Sequence, residues 1–191
     1  MIATLYDIFQ KWSVKGAIYL ISDTHFDDID RDFMGYTGTS QNQVDLINKY
    51  CHKNDTLIHL GDVGETRYMD QIKAHKVLIL GNHDNGNTKK AFDEFFAGPI
   101  WVSSKLVLSH QPLDLTCGFE KPIAFNIHGH DHAQWSFQDE YHLNIAQNVF
   151  GYIPLNLNKV IKAGFLKNIN SIHEQTVEFQ KRKKIENGNN T

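Results

Sequence analysis

Cysteine is scarce: Cys51 and Cys117 are the only two, and neither belongs to a Cys-x-x-Cys pair. That excludes a disulfide framework and a structural zinc ribbon, and a reducing, cytoplasmic setting is the simplest expectation. Long apolar runs are missing too. No stretch reaches the roughly 18 residues of a membrane-spanning helix. Met1 to Lys15 lacks the basic start and unbroken apolar stretch of a secretory signal. Neither sign of charge dominates, and the net value of −3 leaves no overall footprint for nucleic acid. A passive nucleic-acid coat is therefore disfavoured. Nucleic acid stays open as a substrate, because bound cations would invert the local field. With no internal repeat and no dividing linker, a single domain is expected over residues 1–180. A flexible basic and Asn-rich tail is expected over 181–191. Histidine, in contrast, occurs eleven times, and its placement carries the rest of the reading.

Leu5, Ile8, Phe9 and Trp12 fall at i, i+3, i+4 and i+7, the stripe of an amphipathic helix over about residues 2–12. Five short apolar runs follow, each of strand length: Ala17–Ile21, Thr56–Leu60, Val77–Leu80, Lys105–Leu108 and Ile123–Ile127. Ser40 and Gln43 have capping-box spacing at the head of a helix carrying Val44, Ile47 and Tyr50. Ala91 to Phe96 reads as another helix, and Asn158–Ala163 as a further strand. Ile100–Val102 and Lys105–Leu108, joined at Ser103-Ser104, read as an antiparallel hairpin. Strands alternating with helices give an α/β class with mixed sheets.

Each of the five runs leads into side chains that bind metals. The first ends in Ser22-Asp23-Thr24-His25, the second in Gly61-Asp62, and the third in Gly81-Asn82-His83-Asp84. The fourth ends in Ser109-His110 and the fifth in His128-Gly129-His130-Asp131-His132. Ligands gather beyond the carboxyl ends of strands in open α/β sheets, so five such ends would build one polar pocket. Imidazoles, carboxylates and an amide suit Mn²⁺, Fe²⁺ or Zn²⁺, and the lack of thiolate speaks against a closed structural zinc site. Four histidines, two aspartates and one asparagine are too many for one ion. Two divalent ions sharing a carboxylate would use them economically.

This series, DTH, GD, GNHD, SH and GHDH, resembles the calcineurin-like metallophosphoesterase family from about Ala17 to Val160, and within it the small bacterial and phage phosphoesterases. The resemblance implies a sandwich of two mixed β-sheets flanked by helices. It also implies that Asp23, His25 and His132 hold one ion, that Asn82, His110 and His130 hold the other, and that Asp62 bridges them. Mn²⁺ is the favoured metal, with Fe²⁺, Zn²⁺ and Ni²⁺ also compatible. The implied activity is hydrolysis of a small phosphodiester or nucleotide by a hydroxide bridging the two cations. His83 is then the natural general acid, with Asp84 or Glu65 orienting it.

Departures from the family's patterns bear on substrate. Protein phosphatases of the superfamily carry GDxxDRG and GNHE, whereas this chain has Glu65, then Thr66 and Arg67, and GNHD. Protein phosphatase activity is disfavoured. The small phosphoesterases continue DTHF with Gly-His, where this chain reads Phe26-Asp27-Asp28. Arg67 is the leading candidate for contacting substrate phosphate, with Arg31 and Lys89 behind it. Trp135 and Phe137 could line the mouth and pack an aromatic group. The run of His128 to His132 does not fit the HxHxDH spacing of metallo-β-lactamases. A nuclease acting on nucleic-acid ends is the alternative enzyme, and a non-catalytic scaffold the alternative outside catalysis. No membrane partner is expected, and the oligomeric state does not follow from sequence.

Overall fold

The computed structural model describes residues 3–4, 6–133, 135–136 and 139–188. Among them, ten strands make two five-stranded sheets. In the first sheet β2 (Ile18–Ile21), β3 (Thr56–His59), β4 (His75–Ile79) and β5 (Glu94–Phe96) run parallel. Leu155–Asn156, the tenth strand β10, closes its edge antiparallel to β2. The second sheet is β1 (Ala3–Thr4), β6 (Ile100–Ser103), β7 (Leu106–Leu108), β8 (Phe125–His128) and β9 (His142–Asn144), in that spatial order. The β6–β7 pair is the expected hairpin, and β7, β8 and β9 are parallel. Both sheets are mixed, as expected.

Alternation along each strand decides which side chains fill the space between the sheets. Leu20, Ile58, Val77 and Ile79 point inward from the first sheet and meet Leu106, Leu108, Phe125, Ile127 and Leu143 of the second. The intervening residues also need cover, which explains runs that are apolar on both faces. Leu57 and Leu78 pack against Val44 and Ile47 of α2 (Ser40–Tyr50) and against Met69 of a 3₁₀ helix, Thr66–Gln71. Val107 packs on Leu115, Ile123 and Ala124. Each fully buried side chain of this size stabilises by roughly 1.5–3 kcal/mol.

Several expected elements are displaced. The first helix, α1 (Tyr6–Lys15), starts later than residue 2 and follows β1, which pairs with Ile100 and Trp101. Ile8, Phe9 and Trp12 dock on the core between the sheets, while Ile2 and Leu5 lie outside the described residues. The cap of α2 is Thr39 with Asn42, one residue before the expected box. The helix expected at Ala91–Phe96 is instead α3 (Gly86–Lys90), capped by Asn85, and residues 94–96 become β5. After the short α4 (Gln147–Phe150), the segment expected as a strand is α5 (Leu157–Ala163), because Asn156 caps it and Leu157 and Val160 fall on one buried face. Finally, α6 (Ile172–Gly188) carries helix through residues 181–188, where a flexible tail was expected; residues 189–191 lie outside the described ones. No described helix is long and apolar enough to cross a membrane.

Candidate metal centre

The carboxyl ends of β2, β3 and β4 in one sheet, and of β7 and β8 in the other, converge at one edge of the sandwich. There the sheets touch directly through a parallel bridge between Ser22 and Ala146. Backbone bonds then stitch the loops: Asp23 N–H donates to Gly61 O at 2.9 Å and His25 N–H to Asp62 O at 3.1 Å. From the second sheet, Gly129 N–H donates to His110 O at 2.9 Å. His130 N–H donates across to the Asp23 carboxylate, 3.1 and 3.0 Å from its two oxygens.

All seven expected ligands meet here, in two groups. Asp23, His25 and His132 place ligand atoms within 4.8 Å of one another, and so do Asp62, His110 and His130. Asn82 joins the second group, its Oδ1 2.8 Å from His110 Nε2. Asp62 stands between the groups. Its Oδ2 is 3.8 Å from His25 Nε2 and 3.3 Å from His110 Nε2, while His83 N–H holds Oδ1 at 2.9 Å. The centre is also strained. Asp23, His25, Asp62 and His130 hold left-handed backbone, with φ of 54°, 41°, 57° and 69°. Non-glycine residues keep such angles only where the surroundings over-determine them, often at functional sites.

The imidazoles are oriented from behind. His25 Nδ1 lies 2.9 Å from Asp28 Oδ2, His110 Nδ1 lies 2.9 Å from Leu60 O, and His132 Nδ1 lies 2.8 Å from Asn148 Oδ1. Each of these partners accepts, so each Nδ1 carries a proton. Nε2 of His25 and of His132 then faces the centre, while His110 Nε2 lies 2.8 Å from Asn82 Oδ1 and 3.3 Å from Asp62 Oδ2, both acceptors. His25 Nε2 is buried and has no hydrogen-bond partner among the described residues. A bare nitrogen among carboxylates, which burial makes costly unless something is bound, fits a cation. Electrostatics agree. Burial pushes the Asp23 carboxyl up despite the opposing effect of His110 and other neighbours. Burial works against the charge of Asp62 too, but the His110 hydrogen bond and charge outweigh it and bring Asp62 down to about 2. Burial likewise opposes a charged His110, yet its bond to Asp62 and the two carboxylates raise it. The pocket is thus set for added positive charge.

The remaining expected site residues divide. His83 is exposed at the rim, its ring 5.8 Å from that of His25. Among the described residues neither Asp84 nor Glu65 hydrogen-bonds that ring. Asp84 instead holds backbone: Asp62 N–H and Gly81 N–H donate to Oδ2 at 3.0 and 2.8 Å, and Val63 N–H to Oδ1 at 3.1 Å. Arg67 is paired with Asp27 and lies over the Tyr68 ring. Arg31 is buried, and its Nη1 donates to Thr24 O and His25 O at 2.8 and 3.0 Å, so it braces the first ligand loop. Lys89 sits over Phe95. Trp135 is exposed, and Phe137 lies outside the described residues.

His59, one of two histidines flanking the ligand motifs, turns inward. Its Nδ1 accepts from Gly61 N–H at 3.1 Å and its Nε2 lies 2.9 Å from Thr24 Oγ1, between the two ligands Asp23 and His25. Burial pushes it down to about 3, so it is neutral. The other, His128, lies 2.9 Å from Gly129 O. Asp28 and Asn148 were not expected as orienting residues. The acidic run of Asp27 to Asp32 looks like a solvated loop in sequence, and no local pattern marks Asn148.

A family model for the calcineurin-like phosphoesterase superfamily domain matches residues 17–150, a span that contains every candidate ligand. No curated protein matches the sequence. The crystal structure of a protein of unknown function from Aquifex aeolicus is similar at 24% identity with a TM-score of 0.59, covering 77% of this chain and 98% of that one. At that identity the likeness concerns the fold alone.

Proposed function

Because the chain belongs to the calcineurin-like phosphoesterase superfamily, we propose that it is a two-metal phosphodiesterase acting on a small ester or nucleotide. Membership implies metal-dependent phosphoester hydrolysis, and the chain carries His and Asp groups that could hold the metals. The observation that carries the finer reading is the position of Asp62. One of its oxygens faces an imidazole of each ligand group, at 3.8 and 3.3 Å.

Divalent cations bound in the two groups would supply a water of lowered pKa and would take up negative charge on the phosphoryl oxygens. Asp23, His25 and His132 would hold one, and Asn82, His110 and His130 the other, with Asp62 shared. Mn²⁺ suits this oxygen and imidazole set, as Fe²⁺, Zn²⁺ and Ni²⁺ do. The oriented Nε2 atoms and the braced loops keep these ligands in place before substrate arrives, so reorganisation during reaction is small. His83, at the solvent edge, would give a proton to the departing alkoxide. Asp84 serves by tying the loop that carries Asp62 to the loop that carries His83, accepting from Asp62 and Val63 N–H on the one and Gly81 N–H on the other. Arg67 could meet substrate phosphate only by leaving Asp27.

Purified chain supplied with Mn²⁺ should hydrolyse a chromogenic phosphodiester in preference to the corresponding monoester. Turnover should disappear with chelator and in Asp62→Ala, and fall about 10²–10⁴-fold in His83→Ala. A metal-loaded chain that hydrolyses neither compound would instead support a scaffold.

A further inference from the structure

His110 and Asn82 form one wall of an open cavity of about 330 Å³, and Gly98, Pro99, Gln111 and Leu113 contribute the others. None of the described residues lining it is Asp, Glu, Lys or Arg, so His110 is its one ionisable group. The approach past His25 has the opposite character. Asp28 bonds His25, Asp27 neutralises Arg67, and Asp30 and Asp32 are exposed on the same loop. A polyanionic chain would be repelled along that approach. An uncharged group entering this cavity meets no carboxylate, lysine or arginine among its described lining residues.

The cavity walls are firm. Asn126, fully buried in β8, accepts from Leu113 N–H at 2.9 Å and donates to Ser109 Oγ at 2.9 Å, pinning the loop that carries His110 and Gln111. Pro99 and Leu113 offer apolar surface. Gln111 is exposed; its backbone carbonyl accepts from Ser109 Oγ–H at 2.6 Å, and its side-chain amide makes no hydrogen bond among the described residues. The volume lies at the lower end of the roughly 300–1,000 Å³ seen for ligand pockets. That is room for a single nucleoside or sugar.

His83 does not line this cavity; its ring lies toward His25. When water attacks phosphorus, a new P–O bond forms and the P–O bond facing the acid breaks, its oxygen taking the proton from His83. The ester bond on the cavity side persists. Building on the phosphoesterase reading, we infer that the cavity beside Asn82 and His110 binds the retained alcohol of a phosphodiester, and that this alcohol is uncharged and no larger than a nucleoside.

Gly98 provides the means to test this. A Cβ built there meets no heavy atom within 4 Å, and its backbone lies outside the left-handed region. Gly98→Leu therefore adds bulk at the cavity wall from a position where a Cβ is free of contact and the backbone is unstrained. Thymidine 5′-(4-nitrophenyl phosphate) and methyl 4-nitrophenyl phosphate release the same phenolate and differ only in the retained alcohol. The Mn²⁺-loaded full chain should favour the thymidine ester in kcat/KM by at least about tenfold. Gly98→Leu should bring that ratio near one while preserving turnover of the methyl ester. By calorimetry, thymidine itself should bind metal-free wild type and not Gly98→Leu. An unchanged ratio, an equal fall on both esters, or no binding of thymidine to wild type overturns the cavity assignment. Failure of wild type to cleave either ester overturns the phosphoesterase reading instead, and the thymidine titration then decides the cavity alone.

Discussion

A methyl group at position 129 would lie 2.0 Å from both Asp23 Oδ2 and Ser22 Oγ, and one at position 81 would lie 2.2 Å from Asp62 Oδ1. The glycines of the HGH and GNH motifs are therefore required by close approach of the carboxylates, which is why they adjoin the ligands. Gly129→Ala should destabilise the fold by about 1–3 kcal/mol and remove binding of the ion held by Asp23. Thermal unfolding and metal titration on the same preparation would check both effects. Orientation from behind makes a separate expectation. Asp28→Asn should weaken metal affinity about 10–100-fold with little change in stability, because Asp28 sits at the rim with 28% of its side chain exposed. Calorimetric titration with Mn²⁺ would measure it. The seven ligand candidates were legible in sequence because Asp, His and Asn at strand ends advertise their chemistry. The residues that orient them were not. Asp28, Asn148 and Leu60 O act through loop geometry, and Arg31, set in an acidic run, gave no sign that it would be buried against the carbonyls of Thr24 and His25.

Elements were legible in proportion to how local their causes are. The five buried strands announced themselves as apolar runs, and α2 by its capping spacing, although Thr39 rather than Ser40 is the cap. β1 and β5 were missed because both exist only through pairing with distant segments, at Ile100–Trp101 and Val77–Ile79. α5 was misread because Val160 and Ile161 favour strands in isolation, whereas burial of Leu157 and Val160 on one face decides for helix. The start of α6 does carry a local signal. Ser171 and Glu174 have capping-box spacing, and Ser171 N–H and Oγ–H donate to Glu174 Oε2 at 2.6 and 2.8 Å. The Lys105 ammonium, with those Ser171 bonds, holds Glu174 down to about 2, below an ordinary value of about 4.5. Such a depressed carboxylate stabilises the fold fully above its unfolded value, and that contribution is lost as pH falls from about 4.5 toward 2. Wild type should therefore exceed Glu174→Gln in unfolding midpoint at pH 7, and the difference should vanish near pH 2. A difference that persists in acid would show that the pair does not anchor α6.

At the scale of the whole molecule, a sandwich whose parallel strands all end at one edge brings five separate motifs into one pocket. The class and the mixed sheets followed from apolar runs interleaved with helices. The docking of one sheet on the other, with its bridge at Ser22 and Ala146, did not, since no local sequence pattern encodes how two sheets pack against each other. Nor does the sequence show that the two approaches to the centre differ in charge, because the acidic loop follows β2 while the cavity is assembled from the ends of β4 and β5 together with the segment after β7. The central claim is that these groups hold two ions and share Asp62. Anomalous diffraction from crystals of the chain loaded with Mn²⁺ tests it most directly. The account expects two peaks about 3.5–4 Å apart, one beside Asp23, His25 and His132, the other beside Asn82, His110 and His130, with Asp62 touching both. A single peak, or manganese bound elsewhere with these residues untouched, would contradict it.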